Sequence, residues 1–243
     1  MKAHALSFVA PSRVEITEVE LPETGPGQTL VATRYSGISS GTELLAYRGQ
    51  IDASLPLDDT LGALTGTFAY PFAYGYSCVG QVERGDERLP SGSWVFAFHP
   101  HQDRFVARTD ELVPLGDCDP RIGTLFPLVE TALQISLDAG QVHHERVVVI
   151  GLGAVGMLTA ALLRRAGAEV IGVEPSPWRR KAAAEFGLRT VETEGVVDVV
   201  AEETRGAGVP LVVEVSGNPQ SLETALGLLA HEGTALVASW YGT

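Results

Sequence analysis

The sequence predicts an α/β chain in two parts, an antiparallel and partly open β-barrel followed by a doubly wound parallel sheet. Two observations carry that prediction. Residues 1–120 consist of alternating or β-branched runs separated by Pro and Gly, whereas beyond Arg146 apolar strands without polar alternation take turns with helices that end in Gly. A hydrophobic fraction of 45% over 243 residues suffices for two modest cores. The expected organisation is a first domain over 1–120, a connecting helix over 121–140 and a second domain over 141–243.

In the first domain "KAHALSF", "RVEITEVEL" and "QTLVATRYS" read as strands, with "LPETGPGQ" turning between the last two. "SGISSGTELLAYRG" is expected as a loop that runs into a short helix, and "YGYSCVGQVER", "SGSWVFAFH" and "DRFVARTDELVPL" supply further strands. From Pro120 to Ala139 apolar residues fall at helical spacing, and "GQVHHER" closes that helix with His143 and His144 as solvated loop residues. The second domain alternates "VVVIGLG", "AVGMLTAALLRRAG", "AEVIGVEP", "PWRRKAAAEFG", "RTVET", "VVDVVAEETRGAG", "VPLVVEVSG", "PQSLETALGLLAHEG" and "TALVASWYG" as strand and helix.

Charge narrows the function classes. With 17 Lys+Arg against 30 Asp+Glu the chain carries a formal charge of -13 and has no basic run of five or more, which disfavours nucleic acid as a partner. Val147 to Leu163 approaches the length of a membrane span, but its patterned glycines favour a strand, turn and helix, so no membrane partner is expected. The N-terminus has no signal-peptide pattern, and the two cysteines, Cys78 and Cys118, are expected as buried free thiols in a reduced cytoplasmic setting.

Gly151-Leu152-Gly153-Ala154-Val155-Gly156 follows a strand and opens a helix, the context that gives G-x-G-x-x-G its meaning in a Rossmann domain. Gly151 allows the tight turn, Gly153 admits a diphosphate to the backbone, and Gly156 lets helix and strand pack closely. The amides of the first helical turn, from Ala154 and Val155 onward, face the anion. Glu174 ends the next strand at the spacing of a ribose-binding carboxylate, so NAD is favoured; Arg179 and Arg180 leave NADP open. Ser216 and Gly217 end the fourth strand at the ligand edge of the sheet, while Asn218 reads equally as an ordinary turn residue.

The order of domains, together with "VVVIGLGAVGMLTA", "AEVIGVEPSPWRRKAAAEFG" and "VVEVSGNPQSLETAL", resembles the medium-chain dehydrogenase/reductase family. "GISSGTE", "YGYSCVGQV", "VFAFHPHQDRFV", "ETAL" and "SWYG" are similar to the branch that contains bacteriochlorophyllide a dehydrogenases and zinc-type alcohol dehydrogenase-like proteins. The resemblance implies a GroES-like first domain, a Rossmann second domain and NAD(P)-dependent interconversion of an alcohol and a carbonyl compound of a small organic molecule. It also implies a metal site whose first ligand position here is Ser39 or Ser40, and whose Gly-His-Glu segment reads Gly75-Tyr76-Ser77. Hydroxyls are poor zinc ligands, so no metal is expected.

Without a metal, Tyr76 is the first candidate to handle the alcohol proton, with Ser39, Ser40 and Thr42 on the facing loop and His99 as a substrate contact or proton relay. The alternative for Tyr76 is an aromatic that only fills the vacated space. Glu43 and Glu130 fall near this region by family position. Tyr35, Tyr47, Tyr70, Phe72 and Tyr74 would wall an apolar pocket if they face a cleft, and core packing explains them equally well. Family members continue past "LVASWYGT", so the sheet is expected to end after its fifth strand, either because the sequence is a fragment or shortened form or because self-association covers the edge. A zinc-independent quinone or enoyl reductase and a shortened, non-catalytic dinucleotide-binding protein remain as alternatives.

Overall fold

The computed structural model describes residues 1–241; residues 242 and 243, the last two of the expected second domain, lie outside them. The described chain forms two compact units, Met1–Pro127 and Leu128–Tyr241.

The first unit contains β1 (Lys2–Ala10), β2 (Arg13–Glu20), β3 (Gln28–Ser36), α1 (Thr42–Arg48), β4 (Phe72–Ala73), β5 (Cys78–Arg84), β6 (Trp94–Ala97), β7 (Arg104–Arg108), β8 (Val113–Pro114) and α2 (Pro120–Gly123). Its strands make two sheets, β2-β1-β4 and β7-β3-β5-β6-β8, in which every pairing is antiparallel. A bridge from Ala5 to Gln102 ties the two sheets. Val31, Cys78, Val82, Val95 and Phe105 fill the core of the larger sheet. Edge strand β2 shows Arg13, Glu15, Glu18 and Glu20 to solvent, and such charge discourages pairing with another chain.

In the second unit the strands are β9 (Arg146–Ile150), β10 (Glu169–Val173), β11 (Arg189–Val191), β12 (Val209–Glu214) and β13 (Leu229–Val237). The helices are α3 (Phe126–Asp138), whose first residues belong to the first unit, then α4 (Ala154–Arg165), α5 (Pro177–Glu185), α6 (Val196–Thr204) and α7 (Pro219–Leu228). The sheet is wholly parallel with strand order β11-β10-β9-β12-β13. Central strand β9 explains its own composition: Val147 and Val149 enter one core, Val148 and Ile150 the other, so neither face tolerates a polar residue. The chain builds β10 and β11 on one side of β9, then reverses to β12 and β13 on the other. Ligands bind at such a reversal.

Two boundaries differ from the sequence reading. The helix expected from Pro120 is α2 followed by α3, because Pro127 lacks an amide hydrogen and its ring would clash with the carbonyl four residues earlier in a continuous helix. The helix expected to reach Gly233 stops at Leu228, where Leu229 turns extended and pairs with Val209. Leu211 then pairs with Thr234, so the intervening residues bulge, with Glu232 at φ 61°. Among the described residues no helix is long and apolar enough to cross a membrane.

Candidate active site and cofactor turn

The glycine turn is built to the atom. Gly151 leaves β9 with φ 96°, and a Cβ there would lie 2.6 Å from the Ser216 backbone. At Gly156 a Cβ would stand 1.9 Å from the carbonyl oxygen of Gly151, so helix α4 touches the turn backbone to backbone. Gly153, in contrast, faces open space. No side chain caps α4. Ala154 is exposed, and Val155 packs its side chain on the core while its amide sits in the first turn. Uncapped amides, a helix dipole and an open glycine suit a diphosphate, so these residues fit a dinucleotide.

Buried carboxylates flank this turn on both neighbouring strands. Glu174, 2% exposed at the end of β10, accepts the Leu152 amide at 3.0 Å through Oε2 and the Ser176 amide at 3.0 Å through Oε1. The carboxylate expected from sequence to accept from ribose hydroxyls thus also holds the backbone that shapes the turn. Arg179 lies 3.6 Å from the same Oε2 and is half exposed. Arg180 is committed, donating at 2.7 Å to the carbonyls of Glu174 and Pro175 and pairing with Glu192.

Glu214, fully buried at the end of β12, repeats the pattern. Its Oε1 accepts from the Ser216 amide at 2.8 Å and the Ser216 hydroxyl at 2.5 Å, and its Oε2 accepts from the Tyr241 hydroxyl at 2.6 Å. Burial first, then the bond and charge of Glu214, push the Tyr241 phenol up to about 12. Gly217, at φ 73°, donates its amide to Ser239 Oγ at 2.9 Å. Asn218 proves to be an N-cap, its side chain accepting from the Gln220 amide at 3.2 Å.

In the first unit a second cluster forms around the turn between β3 and α1. His101, 7% exposed, lies between Ser36 and Glu43: Nδ1 meets Ser36 Oγ in a short contact, and Nε2 is 2.6 Å from Glu43 Oε2. The other Glu43 oxygen accepts the Ser39 amide at 2.9 Å. Burial opposes charging the imidazole, but the Cys78 sulfur and the Glu43 carboxylate outweigh it and raise His101 to about 9. Gly75, at φ 125°, is required here, since a Cβ would sit 2.6 Å from the His101 ring.

Tyr76 is half-buried beside this cluster. Burial raises its phenol, the Ser39 hydroxyl opposes that, the Glu43 charge adds to it and the Thr42 hydroxyl opposes it again. Ser40 is exposed on the same turn. His99 is not part of the network: it stacks on Phe105 with centroids 4.1 Å apart, its Nδ1 lies 3.0 Å from the Pro100 carbonyl, and burial holds it neutral at about 4. The relay role expected of His99 therefore has no geometric basis. His101, two residues on, holds the polar position.

Other expectations change as well. Phe72 and Tyr74 are core, packed with Phe8 and Phe68. Tyr35 stacks on Trp94, and the Tyr47 hydroxyl donates to the Ser12 carbonyl, so these aromatics are packing groups. Glu130 is exposed on α3. Cys78 is buried, but Cys118 is exposed, against the expectation that both are buried. Among the described residues no group of three or more His, Cys, Asp or Glu side chains is placed to hold a metal ion. The donors at the family positions are the hydroxyls of Ser39, Tyr76 and Ser77, and Ser77 already donates to the Thr124 carbonyl at 2.9 Å. This donor set does not fit zinc.

Comparison with known proteins gives the lineage. Residues 154–242 match the family model described as zinc-binding dehydrogenase. Over that stretch the chain is similar to the zinc-binding dehydrogenases. It is 29% identical over 260 residues to 2-desacetyl-2-hydroxyethyl bacteriochlorophyllide A dehydrogenase of Cereibacter sphaeroides, covering 99% of this chain and 75% of that one. The crystal structure of 2R,3R-butanediol dehydrogenase from Bacillus subtilis superposes with a TM-score of 0.82 at 24% identity, covering 99% of this chain and 78% of that one. A dehydrogenase of Sinorhizobium meliloti bound to NADP gives 0.80 at 19% identity, with 100% and 78% covered. The two solved structures show that this chain shares their fold.

Proposed function

We propose that this protein is a member of the zinc-binding dehydrogenase family and an NAD(P)-dependent oxidoreductase that interconverts an alcohol and a ketone or aldehyde of a small organic molecule without a catalytic metal. The observations that carry the reading are an intact dinucleotide turn at Gly151, Gly153 and Gly156 and, in the first unit, hydroxyls at the family's metal positions, Ser39 and Tyr76, with Thr42 beside them. The curated relatives named as dehydrogenases support the reaction class.

Gly153 and the first-turn amides of Ala154 and Val155 would hold the diphosphate, with Ser216 and Gly217 lining the neighbouring strand end. When bound, the nicotinamide supplies or accepts the hydride. Tyr76 handles the proton: its Oη gives one to the carbonyl oxygen during reduction and takes one from the alcohol during oxidation. Ser39 and Thr42 steady the phenol and stabilise its ionised form. NAD is preferred over NADP, because the Glu174 anion lies beside Arg179 and Arg180 is already bonded to carbonyls and Glu192. A reduced cytoplasmic setting and a self-associated chain complete the proposal.

Titration with NADH and NADPH, elemental analysis and paired panels of alcohols and enones test it. Tighter NADH binding, no stoichiometric zinc and turnover on alcohols are expected. Zinc at one per chain would overturn the metal-free route. Turnover on enones alone would replace it with double-bond reduction, which the same hydroxyl set suits.

A further inference from the structure

The buried carboxylate at the end of β12 carries a further step, which rests on the dinucleotide reading above. Glu214 is fully buried, and among the described residues no Lys, Arg or His pairs with it, whereas Glu174 has Arg179 at 3.6 Å. Three donors hold its charge instead: the Ser216 amide and hydroxyl on Oε1 and the Tyr241 hydroxyl on Oε2. A buried anion without a cation is tolerated only while its oxygens are satisfied. The third donor arrives from the chain that follows β13. There the Ala238 amide donates to the Glu214 carbonyl at 2.9 Å, Ser239 Oγ accepts from the Gly217 amide at 2.9 Å, and Tyr241 reaches the carboxylate at 2.6 Å. Residues 238–241 thus grip the end of β12 and the turn after it at three points.

That turn backs the glycine turn directly. A Cβ at Gly151 would lie 2.6 Å from Ser216 Cα, and one at Gly156 would lie 3.3 Å from a Val215 methyl. Ser216 Oγ also accepts from the Asn218 amide at 3.0 Å, and a Cβ built at Gly217 would meet nothing within 4 Å, so the turn presents an open surface. In the order β11-β10-β9-β12-β13 Glu174 and the adenosine side belong to β10, and the other nucleotide of a dinucleotide falls on the β12 side of the reversal. We propose that Ser239 and Tyr241 are positioning residues which, through the Gly217 amide and the Glu214 carboxylate, hold the 215–217 turn in place for the nicotinamide half of the cofactor. They act through the turn rather than on the reacting atoms.

Two ligands separate this role from general stability. NADH occupies the whole crevice, whereas ADP needs only the β10 side and the glycine turn. Tyr241→Phe leaves Glu214 one donor short, and by calorimetric titration it weakens NADH binding about tenfold, the lower worth of a hydrogen bond to a charged group, while ADP binds as in the native protein. Ser239→Ala frees the Gly217 amide and weakens NADH alone by about threefold, as befits a neutral hydrogen bond. In the Glu214→Gln background the anion is gone, so Tyr241→Phe costs less NADH affinity there. Circular dichroism shows that each variant is folded, and Ser239→Ala carries the test should Tyr241→Phe not fold. Selective loss of NADH, smaller in the Glu214→Gln background, supports the proposal. Equal losses of NADH and ADP, no loss of either, or an undiminished loss in that background overturn it. Native protein that binds neither ligand would overturn the dinucleotide reading and this proposal together, whereas native binding of both with unaltered variants overturns the proposal alone.

Discussion

The Glu174 carboxylate accepts the Leu152 amide at 3.0 Å, joining the end of β10 to the glycine turn that leaves β9. The contact makes an acidic residue part of the turn's framework, and its removal should be felt in both stability and cofactor affinity. Glu174→Ala strips the Leu152 and Ser176 amides of their acceptor, and each buried donor left unpaired costs about 1–3 kcal/mol. A lower urea midpoint together with weaker NADH binding by fluorescence titration is expected. A midpoint equal to the native one would contradict the framework role.

Gly156→Ala tests the closeness of helix and turn. A Cβ 1.9 Å from the Gly151 carbonyl oxygen cannot be accommodated without moving backbone, and overpacking costs about 1–3 kcal/mol or more. Equilibrium unfolding and NADH titration should both worsen. Gly153→Ala, at an open position, should leave stability near native and weaken NADH binding alone.

Tyr76→Phe removes only a hydroxyl from a half-buried ring. If that hydroxyl carries the proton, kcat falls by about 10²–10⁴-fold, the usual worth of a general acid or base, while NADH affinity is unchanged. Steady-state kinetics beside a binding titration make the comparison. A loss confined to KM would mean that the ring only shapes the substrate pocket.

The His101 and Glu43 pair predicts a pH signature in stability. The folded value of about 9 lies above the ordinary histidine value of 6.5, so the folded state holds its proton more tightly than the unfolded one. The contribution is therefore complete below about pH 6.5 and is lost as pH rises through about 9. Urea midpoints measured across that window should decline in the native protein and decline less in His101→Gln. Parallel profiles would mean that the ring does not titrate there.

Much of the fold was legible because its signals are local. Gly151, Gly153 and Gly156 declare the turn, and the unbroken valines of β9 declare a strand covered on both faces. The polar contacts of the site were harder to read, since they pair residues far apart in sequence, as Glu43 with His101 and Glu214 with Tyr241. His99 and His101 are equivalent by composition. Only the path of the chain after β6 stacks one on Phe105 and delivers the other to Glu43. One signal could have been noticed: "VEPS" and "VEVS" end two strands of the same sheet, and in both the Glu accepts the amide of the Ser two residues on.

The parallel order β11-β10-β9-β12-β13 also bears on how this polypeptide comes to be folded. β9 leaves the ribosome with apolar groups on both sides, yet β12, its second partner, is synthesised only after three helices and two strands have followed. Until then one flank of the sheet's middle is bare, a sticky template in the nascent chain. Such distant pairings delay closure, and crowding during synthesis is where this design is most vulnerable to mispairing.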